Sequence, residues 1–238
     1  LVLRAPWGDL PALVSSGPVV QALLLSLGTA ALSTVACLVF GIPLAVLLSH
    51  SVHWHVLPRR LLRAAITIPL VLPPVVGGIA LLLLLGRRGI VGQALAEVGI
   101  TLPFTTGAVV IAQTFVAMPF LVFAVEGALR SADRRSESAA ATLGATPGQT
   151  FRLVTLPLVA PGIAAGTVLC FTRALGEFGA TITFAGSFPG VTRTLPIASY
   201  LAMNSDPDTA IALALVLLAV SAVVLLTLRD RWLPGVVR

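Results

Sequence analysis

Two ionisable residues, Arg173 and Glu177, stand four apart where an apolar run ends, in the stretch RALGEFGATITF. On a helix this spacing puts both side chains on one face, where they can pair. At membrane depth either charge alone costs about 2.5 kcal/mol or more, so pairing is the cheapest resolution. One reading is a salt bridge that fixes the outer end of a membrane span. The other is a break at Gly176, Glu177, Phe178 and Gly179 that lines a pathway, with two glycines freeing backbone amides.

The remaining candidates for chemistry are fewer. His50, His53 and His55 cluster with Trp54 but have no carboxylate or thiol beside them, which favours an interfacial patch over a metal site. Cys37 and Cys170 lie inside apolar runs without CxxC spacing and read as packed free thiols. Arg87 and Arg88, in a short Gly-bounded turn, either meet an acidic partner or are solvated, and Arg193 carries the same ambiguity. No Ser/His pair, HExxH or acidic dyad falls inside an apolar run, so no catalytic residue and no metal or cofactor site is expected.

These residues sit in a chain built for lipid. Hydrophobic residues make up 57% of it and charged ones 10%, too few charges to cover a soluble core. All 15 cations of the Lys+Arg count are Arg, and a net charge of +6 in such a chain reflects cytoplasmic loops rather than nucleic-acid binding. Residues 1–18 lack the features of a signal peptide. Five charge-free stretches, 19–49, 64–86, 98–125, 153–172 and 209–228, each supply the roughly 20 residues that a spanning helix needs. The expected fold is an all-α integral membrane domain over 19–228, an external segment 1–18 and a cytoplasmic tail 229–238.

Arginines set the orientation. With residue 1 outside, the inner connections hold Arg59, Arg60, Arg63, Arg130, Arg134, Arg135, Arg152, Arg229, Arg231 and Arg238, and the outer ones hold Arg4, Arg87, Arg88 and Arg193. That asymmetry predicts an external N-terminus and a cytoplasmic C-terminus.

The second run, IPLVLPPVVGG, is interrupted by Pro69, Pro73, Pro74, Gly77 and Gly78. It reads either as a broken helix lining a pathway or as a kinked packing helix. Pro157 and Pro161 mark a helix start or kink in the fourth. The longest inner connection, 126–152, reads as helix, turn, helix. Residues 139–141 favour helix, Gly144 suits a left-handed stop, and Thr146, Pro147 and Gln149 fit an N-cap, a first-turn Pro and a capping-box Gln. A capped hairpin is a good docking element; the alternative is a helix lying on anionic lipid through Arg130, Arg134 and Arg135.

The spacing in this connection resembles the EAA loop of ABC-importer permeases. Ala139-Ala140 is followed by three residues, Gly144, nine more, then Val154-Thr155-Leu156-Pro157. The family's Glu position falls on Ser138, with Glu137 one residue earlier, and Val154 stands for Ile. LPPVVGG with GRRGIVG, GEFGATITF and TRTLPIASY resemble the oxyanion branch, specifically the molybdate permeases; GEFGA alone is also similar to sulfate and thiosulfate permeases.

The resemblance implies a homodimeric permease without enzymatic activity of its own. Glu137, Ser138, Ala139, Ala140, Leu143, Gly144, Leu156 and Pro157 would couple to a separate cytoplasmic ATPase that holds ATP and Mg2+. An external binding protein would deliver molybdate, with tungstate, sulfate or thiosulfate as alternative cargo. The chain carries no GxxxxGK[ST] phosphate loop. At the pathway or gate stand Arg173, Gly176, Glu177, Phe178, Gly179, Thr181 and Thr183. A carboxylate repels an anionic cargo, so Glu177 is assigned to gating or to holding Arg173. Anion attraction falls to Arg173, backbone amides and the two threonine hydroxyls. The implied location is the bacterial cytoplasmic membrane.

Overall fold

The computed structural model describes residues 2–232, and every regular element among them is helical. Residues 233–238 of the expected tail, with Arg238, lie outside the described residues, as do the side chains of His53, Arg134, Arg229 and Arg231.

A short helix α1 (Leu10–Val14) leads into α2 (Gly17–His50). The 34 residues of α2 reach about 51 Å at 1.5 Å per residue and outrun a hydrocarbon core of about 30 Å. The second run is not one straight helix over 64–86. It forms α3 (Val56–Val71) and α4 (Pro74–Leu85), bent by 118°. Leu72 and Pro73 each precede a proline, which pushes a residue out of the helical region; they take ψ of 132° and 133°. Because α3 starts early, Arg59, Arg60 and Arg63 ride on a helix rather than in a loop.

After a tight turn comes α5 (Ile90–Glu97), then α6 (Thr106–Ser131). The Thr105 hydroxyl accepts the Ala108 N–H at 3.2 Å and caps α6. The helix runs past the expected end of the third span, so Glu126 and Arg130 belong to it and not to the following loop.

The next elements are α7 (Arg134–Thr142), the single turn α8 (Pro147–Thr150), a π-helical turn at Phe151–Thr155 and α9 (Leu156–Leu175). The predicted helix, Gly turn, helix is present, but its second arm is the base of the fourth span: Pro147–Leu175 is one apolar helical stretch. A short α10 (Gly179–Ala185) and α11 (Leu195–Ala202) precede α12 (Pro207–Trp232). Asp206 caps α12 by accepting the Thr209 hydroxyl and N–H at 2.5 and 3.2 Å, and these bonds hold its carboxyl below the usual carboxylate range.

Four of the described helices are long and apolar enough to cross a membrane; the α3–α4 pair passes the same test only when taken together, as a broken span or a re-entrant loop, so the five expected spans correspond to four or five candidates. The bundle is organised on α6. Ala117, Leu121, Val122 and Val125 of α6 meet Ala30 and Cys37 of α2 and Cys170, Ala174 and Leu175 of α9 in the main core. A second core joins α4, α6 and α10 around Leu81, Ala112 and Phe184. A third joins α2, α11 and α12 through Val19, Leu195 and Leu213.

Candidate functional site: a paired helix break and a capped hairpin

The chain between α9 and α10 breaks at Gly176, Glu177 and Phe178. Arg173, in the last turn of α9, places Nη1 2.6 Å from Glu177 Oε2. Glu177 Oε1 accepts the Ala180 N–H at 2.8 Å, so one carboxylate closes the end of α9 and satisfies the start of α10. The carboxylate is 1% exposed, and its arginine side chain 27%.

This break is internal to the bundle. Gly166 of α9 faces Leu121 and Ala124 of α6, whereas Ala180 and Phe184 of α10 pack with Ala108, Val109, Ala112 and Val116 of the same helix. Arg173 and Glu177 therefore lie part-way along α6, where the candidate span Pro147–Leu175 ends and α10 begins.

Around them the two apolar motifs of the sequence form one contact. A Cβ on Gly78 of α4 would collide with Thr183 Oγ1 and stand 2.7 Å from the Ala180 carbonyl oxygen of α10. Gly179 packs as closely on Pro74. Small residues let these backbones approach. Thr183 spends its hydroxyl proton on its own helix, donating to the Gly179 and Ala180 carbonyls at 2.9 and 3.2 Å. Thr181 is fully buried, and its hydroxyl has no hydrogen-bond partner. Phe178 leans on Tyr200 of α11 with ring centroids 4.9 Å apart. Gly176 is exposed.

At the far end of α9 stands the hairpin. Gly144 turns the chain at φ +85°, the left-handed conformation that glycine adopts without a Cβ penalty. Asp133 opens α7 by accepting the Arg135 N–H at 2.9 Å. Across the turn the capping box closes: Gln149 Oε1 accepts the Thr146 N–H at 2.8 Å, and Thr146 Oγ1 accepts the Gln149 N–H at 3.4 Å.

Glu137 points inward and accepts the Thr155 hydroxyl at 2.7 Å, fastening α7 to the π turn. A cleft of about 460 Å³ opens beside this bond, lined by His50, Arg130, Glu137, Ala141, Thr150 and Thr155 among others. Facing outward are Ser138, Ala139, Gly144 and, at the tip, Leu143 with 89% of its surface exposed. Ala140 and Leu156 are half-buried, and Pro157 is exposed.

Of the remaining candidates His50 lines the hairpin cleft, and Arg193, Arg87 and Arg88 stand in other turns. Arg193 is tied into its own loop, donating to the Ser187 hydroxyl and carbonyl, each at 3.2 Å. Arg87 and Arg88 are exposed in the turn after α4. His50 Nδ1 donates to the Val46 carbonyl at 2.8 Å. Both cysteines are buried free thiols in the main core. Among the described residues no three His, Cys, Asp or Glu side chains gather closely enough to hold a metal ion.

Sequence reasoning missed a second ionic cluster. Glu126, with 5% of its side chain exposed, takes Arg63 Nη2 at 2.6 Å and Arg130 Nη2 at 2.8 Å. The available signal was the same i,i+4 spacing that singled out Arg173 and Glu177. The third span is expected to end at residue 125, which assigns Glu126 to the inner connection, and its cross-helix partner Arg63 stands far away in sequence.

Apolar helices folded back on one central helix, with a capped hairpin presented at one end, define a multi-pass membrane protein. The chain belongs to the family of binding-protein-dependent transport system inner membrane components, whose profile matches residues 38–234. It is accordingly a protein of the inner membrane.

The molybdenum transport system permease protein ModB of Mycobacterium tuberculosis is 53% identical over 226 residues, covering 95% of this chain and 84% of that one. ModB of Escherichia coli K12 is 40% identical over 227 residues, covering 95% and 98%. Among solved structures, the methionine ABC transporter MetNI in inward-facing form superposes with a TM-score of 0.70 at 21% identity, over 94% of this chain and 100% of that one. A bacterial ABC transporter that imports alginate gives 0.71 at 19% identity, over 97% and 85%. The last two share the fold.

Proposed function

We propose that the chain is the membrane-spanning permease of a molybdate importer. The observation that carries this reading is the 53% identity with a molybdenum transport permease over nearly the whole chain. In this reading the hairpin end of the bundle is cytoplasmic, as the arginine asymmetry predicts. The exposed tip from Ser138 to Gly144 seats in a groove on a separate ATPase, which holds ATP and Mg2+. Its inward partner Glu137 and the capping box of Thr146 and Gln149 keep the hairpin rigid, and Leu156 and Pro157 continue it into α9, so that force reaches α9 without loss. Leu143, with 89% of its surface exposed at the tip, is the apolar side chain this reading assigns to the groove.

Two copies of the chain enclose the pathway, since one five-span bundle supplies half of its wall. An external binding protein hands a tetrahedral dianion to the outward-facing dimer. Arg173 offers the positive charge nearest the break between α9 and α10, with Glu177 restraining it. Phe178, Gly176, Gly179 and the threonines Thr181 and Thr183 shape the same segment. Alternating access follows when the two conformations differ in affinity for nucleotide and for loaded binding protein. Weak contact with the cargo suits this task, because a tight site slows release.

The test is ATP hydrolysis by the permease–ATPase complex in proteoliposomes, with binding protein loaded with molybdate, tungstate or sulfate. Stimulation by the molybdate-loaded and tungstate-loaded forms alone is the expected result. Stimulation by the sulfate-loaded form moves the cargo to the sibling oxyanion, and no stimulation by any in an assembled complex removes the importer reading.

A further inference from the structure

We propose that Glu126 is a positioning residue for transport: with Arg63 and Arg130 it forms a joint, closed throughout the cycle, that makes α3 travel with the hairpin end of α6. The inference rests on the importer reading above. Arg130 shares a helix with Glu126, so its 2.8 Å contact is local, whereas the 2.6 Å contact of Arg63 crosses from α3 to α6. Both arginines leave nearly half their side-chain surface exposed, at 44% and 45%, while the carboxylate leaves 5%. The negative charge is thus committed to the two guanidinium groups. Charge-assisted hydrogen bonds of this kind are about twice as strong as neutral ones.

The apolar packing that holds α3 is sparse. Ile66 is its one buried residue among those described, and with half-buried Leu62 it joins the main core shared with α2 and α6. Beside that contact an apolar cleft of about 300 Å³ opens, lined by Leu44, Leu62, Ile66, Pro69, Phe115 and Met118 among others. Close-packed helices pass displacement directly through their contacts. A helix anchored by so few buried side chains gains from a polar tie, and the Glu126 cluster is placed to be that tie.

What α3 carries lies beyond the 118° bend. There α4 packs on α10 through Gly78, beside the Glu177 break. The bent limb therefore connects the hairpin end of α6 to the helix that follows the break, and the joint sets how faithfully it follows.

The experiment measures molybdate imported per ATP hydrolysed, in proteoliposomes holding equal amounts of assembled complex and molybdate-loaded binding protein. Glu126→Gln and Arg63→Gln are expected to lower that ratio by about fivefold or more, and Arg63→Lys to retain most of it. A merely structural role would lower the amount of assembled complex and leave the ratio alone. The double variant Arg63→Cys/Glu126→Cys, bridged by a short reducible bis-methanethiosulfonate, should import at a normal ratio while bridged and lose it on reduction. A normal ratio in the unbridged variants overturns the joint, and so does a bridge that blocks import, since the contact would then have to open. If the glutamine variants do not assemble, the bridged variant alone decides. A wild-type complex without coupled import brings down the importer reading and the joint together; coupled wild type with indifferent variants brings down the joint alone.

Discussion

Glu177 serves two helices with its two oxygens: Oε2 takes Arg173 Nη1 at 2.6 Å at the end of α9, and Oε1 takes the Ala180 N–H at 2.8 Å at the start of α10. The two functions can be separated. Glutamine keeps an acceptor for Ala180 and loses the charge, whereas alanine loses both. Removing one member of a buried pair costs on the order of 3 kcal/mol, mostly because the other charge is left unpaired. Thermal unfolding of detergent-purified protein should rank wild type above Glu177→Gln and Glu177→Gln above Glu177→Ala. The double variant Arg173→Gln/Glu177→Gln should recover part of the loss, and strictly additive effects would show that the two residues do not couple.

The contact between α4 and α10 gives a steric prediction. A methyl on Gly78 meets Thr183 Oγ1 and the Ala180 carbonyl, and the carbonyl belongs to backbone that cannot rotate away. Overpacking of this kind costs about 1–3 kcal/mol. Gly78→Ala should therefore lower the yield of monodisperse protein, while Gly28→Ala, with nothing within 4 Å of the added carbon, should leave it unchanged. Thr183→Ala should partly rescue Gly78→Ala by removing one of the two obstacles.

Gly144 tests the hairpin through backbone conformation alone. A Cβ there meets nothing within 4 Å, but φ is +85°. The left-handed conformation costs an L-residue about 1–2 kcal/mol, least for asparagine. Coupling of ATP hydrolysis to uptake should fall in the order Gly, Asn, Ala, Val, with membrane insertion unaffected. An equal ratio for glycine and valine would show that the turn plays no part in coupling.

The hairpin was legible because its signals are local. Gly144, Thr146, Pro147 and Gln149 each demand a particular backbone state within a few residues, and each demand is met. A multi-span helical bundle was legible from length and hydropathy, since lipid leaves a chain few other options. The limits of those spans were not. The sequence assigns Arg59, Arg60 and Arg63 to a loop because their charges interrupt the apolar run, yet Arg63 sits in α3 paired with Glu126, more than sixty residues away in sequence. The ion pair at Arg173 was visible through its i,i+4 spacing. Its place along α6 was not, because that is set by how Gly166 and Ala180 register against α6, and nothing in the local sequence encodes it.

The register of the hairpin's acidic residue leads to the last prediction. The family pattern places its glutamate at Ser138, but in this chain the carboxylate stands at Glu137 and turns inward to the Thr155 hydroxyl at 2.7 Å. On a helix a shift of one residue rotates a side chain by about 100°, away from a surface that position 138 presents outward. A carboxylate at 137 is thus placed to brace the hairpin against the π turn. Glu137→Gln retains a hydrogen-bond acceptor and should assemble with the ATPase normally. Glu137→Ala and Thr155→Val should each lose about 1 kcal/mol from the bracing contact and loosen α7, raising its amide hydrogen exchange. Because both variants remove the same bond, combining them should add little. If instead Glu137→Ala abolishes ATPase binding while Thr155→Val does not, the carboxylate acts on the partner directly.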